Sequence, residues 1–292
     1  MDYPIVVFVV SDTNYSPLLF LIAASAHVAD TSLITKEYSC LKDLRHQPVI
    51  TLFVTRCSQI DKADLTAYRA ILSKAELDRN QRFRFAKDRH RDLISRALLR
   101  TELAKVVSLP PDAIELERGT HGKPQLAPSM QPMAEPVTFN VSHAGDWVIL
   151  ALSSEPVGID LEYTPRNNDV MAVADRYFYG AELKELQAFS HSEQRERFFD
   201  YWTLKEAYIK ARGEGISLGL ANFGFSITSE KTICISMRPC LNDCPDDWQF
   251  WSFTPEDDYR LALALKSNSR ARLACYESVP LRYTAKLDWR VN

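Results

Sequence analysis

The sequence predicts an α+β fold, a pseudo-dimer of two similar α+β halves. Two observations predict it. The stretches "VTFNVSHAGDWVILALSS" (137–154) and "WQFWSFTPEDDYRLALALKS" (248–267) each read as a β-hairpin around a polar turn. Set side by side, Phe139 matches Phe250, Asp146-Trp147 matches Asp258-Tyr259, and "ILAL" matches "LALAL". Each hairpin also follows a long helical pattern, at 90–107 in one case and 197–213 in the other. One such match arises easily by chance. The shared order argues for a duplication, with the halves joined near 155–158. A cleft between two halves is a favoured place for a ligand.

The elements follow in order. "VITLFVT" (49–55) has the unbroken apolar run of a buried strand. Residues 61–107 are mostly helical in pattern, through "LTAYRAILS" and "RDLISRALLRTELAKVV". "LPPDAIEL" breaks that helix and starts an extended stretch, and "THGKPQL" reads as a loop. The first hairpin turns at Ala144-Gly145-Asp146. "PVGIDLEY" (156–163) reads as a strand after the junction, residues 182–212 as helix, and 248–267 as the second hairpin. The expected organisation is an extension over 1–46, a first half over 47–156 and a second half over 157–292.

At 292 residues, with 46% hydrophobic and 25% charged, the chain has the composition of a soluble globular enzyme. Its formal net charge of −3 gives no global positive field, so any anion must meet a local patch. Six cysteines are scattered without a CxxC pair, and no histidine lies near Cys234, Cys240 and Cys244 to complete a zinc site. Reduced cytosolic thiols are the expectation. The first 46 residues carry apolar runs, "IVVFVV" and "PLLFLIAASAHVA", and Ala24-Ser25-Ala26 resembles a signal cleavage site. No Lys or Arg precedes the apolar run, as a leader requires, and the longer run is too short to span a bilayer. A terminal extension, or a start codon placed too far upstream, is expected, with the protein in the cytoplasm and no membrane partner.

Four stretches carry candidate chemistry. In "PVGIDLEY" (156–163), Val157, Ile159 and Leu161 share one strand face, and Asp160 and Glu162 share the other. Two adjacent carboxylates repel unless a cation sits between them, and hard oxygen donors suit Mg²⁺. An ordinary exposed strand face explains the same pattern, and on this motif alone it is the better account. In "FFDYWTLKEAYIKARGEG" (198–215), Trp202, Glu206 and Lys210 fall on one helical stripe. Glu206 there is a candidate third carboxylate, flanked by Lys205 and Lys210 at phosphate-gripping distance. In "GKP" (122–124), Lys123 is a point charge on a loop. In "NVSHAG" (140–145), Ser142 offers a hydroxyl and His143 an imidazole that can be cationic near neutral pH. Residues 79–100 hold eight basic residues, Arg79 and Arg91 among them, against Asp88 and Asp92. A solvated helix face with one phosphate grip explains this better than a nucleic-acid patch, since aromatic interleaving is sparse.

Taken together, "GKP", "FNVSHAGDW", "GIDLE" and "FFDYWTLKEAYIKARGEGISLGL" resemble the Sfp-type 4′-phosphopantetheinyl transferases over about residues 48–266. The resemblance implies transfer of the phosphopantetheine arm of coenzyme A to a serine of an acyl or peptidyl carrier protein, with release of 3′,5′-ADP. It implies Mg²⁺, replaceable by Mn²⁺, held by Asp160, Glu162 and Glu206. It implies Lys205 and Lys210 on the phosphates, Ser142 and His143 on the nucleotide phosphates, and Lys123 and Pro124 along coenzyme A. Arg91, with Arg79 a looser equivalent, falls in the same phosphate region. Glu206, then Glu162, is the expected base, assisted by Lys210. The internal repeat suggests a monomer. A Mg²⁺-dependent phosphohydrolase using the same carboxylates on water, and a non-catalytic nucleic-acid binder using 79–100, are the rival readings.

Overall fold

The computed structural model describes residues 47–119, 121–133, 136–165 and 169–288, so the expectations for 1–46 lie outside the described residues. Strand β1 (Val49–Arg56) leads into helices α1 (Lys62–Ile71), α2 (Lys74–Gln81) and α3 (Ala86–Val107). Two short strands, β2 (Leu116–Arg118) and β3 (Pro124–Leu126), pair where a loop was expected around "GKP". The hairpin β4 (Thr138–Ala144) and β5 (Trp147–Ser153) closes the first unit. The second unit repeats the plan: β6 (Val157–Tyr163), helices α4 (Val170–Tyr177), α5 (Gly180–Ala188) and α6 (His191–Arg212), a small hairpin β7 (Phe223–Ile227) and β8 (Ile233–Met237), then β9 (Trp248–Phe253) and β10 (Tyr259–Lys266). The tail adds β11 (Arg272–Val279) and β12 (Tyr283–Lys286).

The sheet orders make the repeat explicit. One sheet runs β12-β11-β1-β5-β4 and the other β6-β10-β9, so β1-β5-β4 and β6-β10-β9 share one topology. Each long helix, α3 and α6, has 22 residues. Residues 182–212, expected as one helix, divide at Phe189-Ser190, where Ser190 caps α6 through a reciprocal box with Glu193. The chain continues as α6 to Gly213, whose positive φ of 74° ends the helix in the left-handed conformation that glycine adopts without cost.

Strict alternation builds three apolar layers. Ile50, Leu52 and Val54 of β1 and Trp147, Ile149 and Ala151 of β5 meet Val157, Ile159 and Leu161 of β6 and Leu261, Leu263 and Leu265 of β10. The opposite face of the first sheet, with Phe53, Val148, Leu150 and Leu152, packs on Leu93, Ile94 and Leu98 of α3. The opposite face of the second, with Ala262 and Ala264, lies under Tyr201, Leu204 and Tyr208 of α6. The small side chains let α6 approach closely. A Cβ on Gly158 would lie 2.0 Å from Ala207 O and 2.4 Å from Ala211 N, so α6 crosses β6 directly above that glycine.

The tail departs from the expected division, which placed all of 157–292 in the second half. β11 pairs parallel with β1, from Val49–Arg272 to Val54–Glu277, and so completes the first sheet. Without it the outer edge of β1 would present unpaired backbone groups. Thr55 Oγ1 donates to Ser278 O at 2.6 Å, and Ser278 Oγ donates to the buried Glu102 of α3 at 2.7 Å.

Candidate active site

The two sheets meet at a seam between β4 and β6. The outer edge of β6 is joined by side chains instead of a strand. Ile159 N donates to Asn140 Oδ1 at 2.9 Å, and Leu161 N donates to Ser142 Oγ at 3.1 Å. Because 140 faces 159 and 142 faces 161, β4 and β6 run in the same direction. The carbonyls on that edge are met by lysines. Lys123 Nζ donates to Val157 O at 3.1 Å, and Lys210 Nζ to Ile159 O at 3.3 Å.

Alternation on β6 turns Asp160 and Glu162 away from the inter-sheet core and toward α6. There Trp202, Glu206 and Lys210 project from one stripe of the helix, at i, i+4 and i+8. Lys210 Nζ lies 2.5 Å from Asp160 Oδ1 and 3.3 Å from Ser142 Oγ. Trp202 Nε1 donates to Glu162 Oε1 at 3.3 Å, and its ring stacks on Phe198. Glu206 is half-buried, and its carboxyl is raised above the ordinary range by desolvation and then by the charge of Asp160, against the pull of Lys210. Asp160 itself is buried, and its Oδ2 has no hydrogen-bond partner among the described residues.

His143 follows on β4, at the surface. Desolvation, then the positive charge of Arg91, hold its imidazole below the ordinary value, and Lys210 adds to this. Arg91 in turn is anchored by Asp88 at 3.1 Å. The fold therefore brings Ser142, His143, Asp160, Glu162, Glu206, Lys210 and Arg91 to one seam. Arg79 stands in a basic group with Arg96 and Arg118 beside Asp92, which pairs with Arg96 at 3.5 Å. Pro124 begins β3 opposite Arg118.

Two lysines differ from the sequence expectation. Lys205 does not face the phosphate side. One residue before Glu206, it is turned about 100° around the helix axis, onto the stripe of Tyr201 and Tyr208, and is fully buried. Its ammonium donates to Leu220 O at 2.9 Å and Phe223 O at 2.6 Å, and pairs with Glu182 at 2.9 Å. Glu182 also accepts from Tyr179 N and Phe225 N, so the pair is satisfied throughout. The buried 201/205/208 spacing was the available signal. Lys123, expected along a ligand, instead reaches Lys210 O at 2.7 Å in the last turn of α6, where carbonyls lack helical partners. Burial pushes its ammonium down to about 8. Asn140, Trp202's bond to Glu162 and the Glu182 anchor were not singled out in the sequence.

The three carboxylates do not close into a cage: among the described residues no three His, Cys, Asp or Glu side chains converge as a metal-binding group. Lys210 occupies Asp160 Oδ1 and supplies the positive charge that neighbouring carboxylates require. The donor set still fits a hard cation. Asp160 Oδ2 is a buried oxygen without a donor among the described residues, and Mg²⁺ characteristically takes one or two carboxylates and completes its shell with phosphate and water.

Comparison with known proteins gives the family. The family model for the N-terminal region of 4′-phosphopantetheinyl transferases matches residues 59–155. The 4′-phosphopantetheinyl transferase superfamily model matches residues 156–264. The 4′-phosphopantetheinyl transferase Sfp of Bacillus subtilis (strain 168) is 30% identical over 177 residues, covering 61% of this chain and 76% of that protein. The chain belongs to the Sfp-type 4′-phosphopantetheinyl transferases. Another such transferase from Bacillus subtilis is 30% identical over 198 residues, 66% of this chain and 82% of its own. A phosphopantetheinyl transferase of Thraustochytrium sp. is 37% identical over 180 residues, 56% and 60% of the two chains. The seam described here is the candidate active site of this chain. No helix among the described residues is long and apolar enough to cross a membrane.

Proposed function

We propose that this phosphopantetheinyl transferase moves the 4′-phosphopantetheine arm of coenzyme A onto a serine hydroxyl of an apo acyl or peptidyl carrier protein, releasing 3′,5′-ADP, and requires Mg²⁺. The observation that carries the reading is the junction of Lys210, Ser142 and Asp160 beside Glu206, with Asp160 Oδ2 left without a donor among the described residues. Asp160, Glu162 and Glu206 are the residues that would hold the cation. When bound, it supplies positive charge to the pyrophosphate oxygens. Lys210 is near enough to Asp160 to exchange one carboxylate oxygen for a phosphate oxygen and so follow the charge that develops there. Arg91 offers a cationic grip for a further phosphate, and the neutral His143 ring beside it offers an N–H donor. Glu206, with Glu162 second, is the carboxylate placed to accept the serine proton as the hydroxyl attacks the β-phosphorus. Solvent location in the cytoplasm and action as a monomer complete the reading.

Incubating the protein with coenzyme A, Mg²⁺ and an apo-carrier tests it. A carrier mass gain equal to phosphopantetheine, abolished by chelator and by Glu206→Gln, is the expected result. Nucleotide release without any carrier would replace transfer by hydrolysis.

A further inference from the structure

We propose that Asn140 is a positioning residue: its side-chain oxygen holds the register of β6 across the seam and thereby aims Asp160 and Glu162. This rests on the transfer reading above. Four backbone groups on the outer edge of β6 are met by four side chains: Asn140, Ser142, Lys123 and Lys210. Three of these, Ser142, Lys123 and Lys210, also carry charge or hydroxyl groups suited to phosphate, and Ser142 and Lys210 are already shared with Asp160. Asn140 alone has a bond to β6 that a phosphate ligand does not compete for, because a neutral amide oxygen does not bind an anion.

The geometry makes that bond consequential. Ile159 is fully buried, so its N–H finds no water if Asn140 withdraws. Ile159 also lies between the two sheets, immediately before Asp160. A one-residue slip of β6 would turn both carboxylates into the apolar inter-sheet layer. Asn140 is itself held in place, paired through its backbone with Ala151 of β5. It therefore transmits the position of the first sheet to the carboxylates of the second. Outer partners that orient metal-binding groups characteristically matter by 10–100-fold in metal affinity or activity, and about tenfold is expected here.

The test compares wild-type protein with Asn140→Leu, which keeps the bulk and removes the acceptor, and Asn140→Asp, which keeps an acceptor oxygen. Hydrogen–deuterium exchange of the 157–163 peptide is measured without metal or coenzyme A, followed by transfer to an apo-carrier as a function of Mg²⁺. Asn140→Leu should exchange faster in that peptide and need about tenfold more Mg²⁺ for half-maximal rate, with KM for the carrier unchanged, while Asn140→Asp keeps the slow exchange of wild type. If Asn140→Leu does not accumulate folded, Asn140→Ser, too short to reach the Ile159 amide, carries the same measurements. Unchanged exchange in Asn140→Leu, or exchange in Asn140→Asp as fast as in Asn140→Leu, overturns the proposal. Faster exchange with an unchanged Mg²⁺ requirement also overturns it, leaving Asn140 a structural tie. If the wild type transfers nothing, the function falls, while the exchange experiment still decides the seam.

Discussion

The two halves carry the same scaffold and differ in what meets the outer edge of the first strand. In the first half, β1 is joined by β11, and backbone pairs with backbone along six registered positions. In the second, the equivalent edge of β6 is joined by Asn140, Ser142, Lys123 and Lys210. A strand uses up its neighbour's hydrogen bonds and leaves nothing for a ligand. Side chains can bond the edge and still present hydroxyl and ammonium groups to an open seam. The helices above differ in the same sense. α3 ties its buried charges into the fold, Arg100 to Glu76 and to Pro111 O and Ile114 O, and Glu102 to Lys105 and the tail. α6 divides its charges, with Lys205 buried in the fold and Glu206 and Lys210 at the seam.

The largest expected effect tests the first half. Ending the chain after Ser269 removes β11 and β12, strips β1 of its partner and leaves Glu102 without Ser278 and Thr284. Soluble, cooperatively unfolding protein should be lost. A truncated protein that still melts cooperatively by circular dichroism would break the contrast between the two edges.

The charges of α6 separate next. Lys205→Met should cost about 3–5 kcal/mol in denaturant unfolding, because it leaves Glu182 buried and uncompensated. Lys210→Met should cost less stability, since that ammonium is partly exposed, but should slow transfer about 100-fold or more. Comparable stability losses with comparable rates would erase the division between a structural and a functional lysine.

Gly158→Ala sharpens the packing side of the comparison. Its methyl would meet backbone atoms of Ala207 and Ala211, which cannot swing aside as a side chain can. A loss of about 1–3 kcal/mol is expected from overpacking, read from the shift of the urea midpoint. A neutral outcome would mean that α6 lifts from β6 freely.

The smallest effect concerns His143. Its imidazole is held below the ordinary value by desolvation and then by Arg91. Its folded pKa thus lies below the unfolded value of about 6.5. The stability it contributes is complete above that unfolded value and is lost as pH falls through the folded one. NMR titration should find the ring titrating below the ordinary value, and Arg91→Ala should move it upward. No movement in Arg91→Ala would detach Arg91 from the seam.

Much of the fold was legible because periodicity is local. The hairpins at 138–153 and 248–266, the strand 157–163 and the two long helices follow alternation and helical spacing that the chain carries in itself. The tail strands were not legible, because the partner that "RLACYESV" completes, β1, lies at the far end of the described chain. Within the site, Asp160 with Glu162, and Trp202 with Glu206 and Lys210, were readable from two-residue and four-residue spacing. The role of Lys205 was misread, since the charged type of a residue says phosphate or ion pair with equal force until its partner is known.

By itself, then, the sequence determined the duplicated plan, the family and the face on which each carboxylate stands, because side-chain direction follows from the geometry of a single strand or helix. Only the tertiary structure decided which charges meet. Glu182 is 23 residues from Lys205 in the chain, Asn140 is 19 from Ile159, and Lys210 is 50 from Asp160. Those pairings depend on how two sheets pack and on where α6 crosses β6, and no local spacing encodes a contact that forms only when distant elements dock.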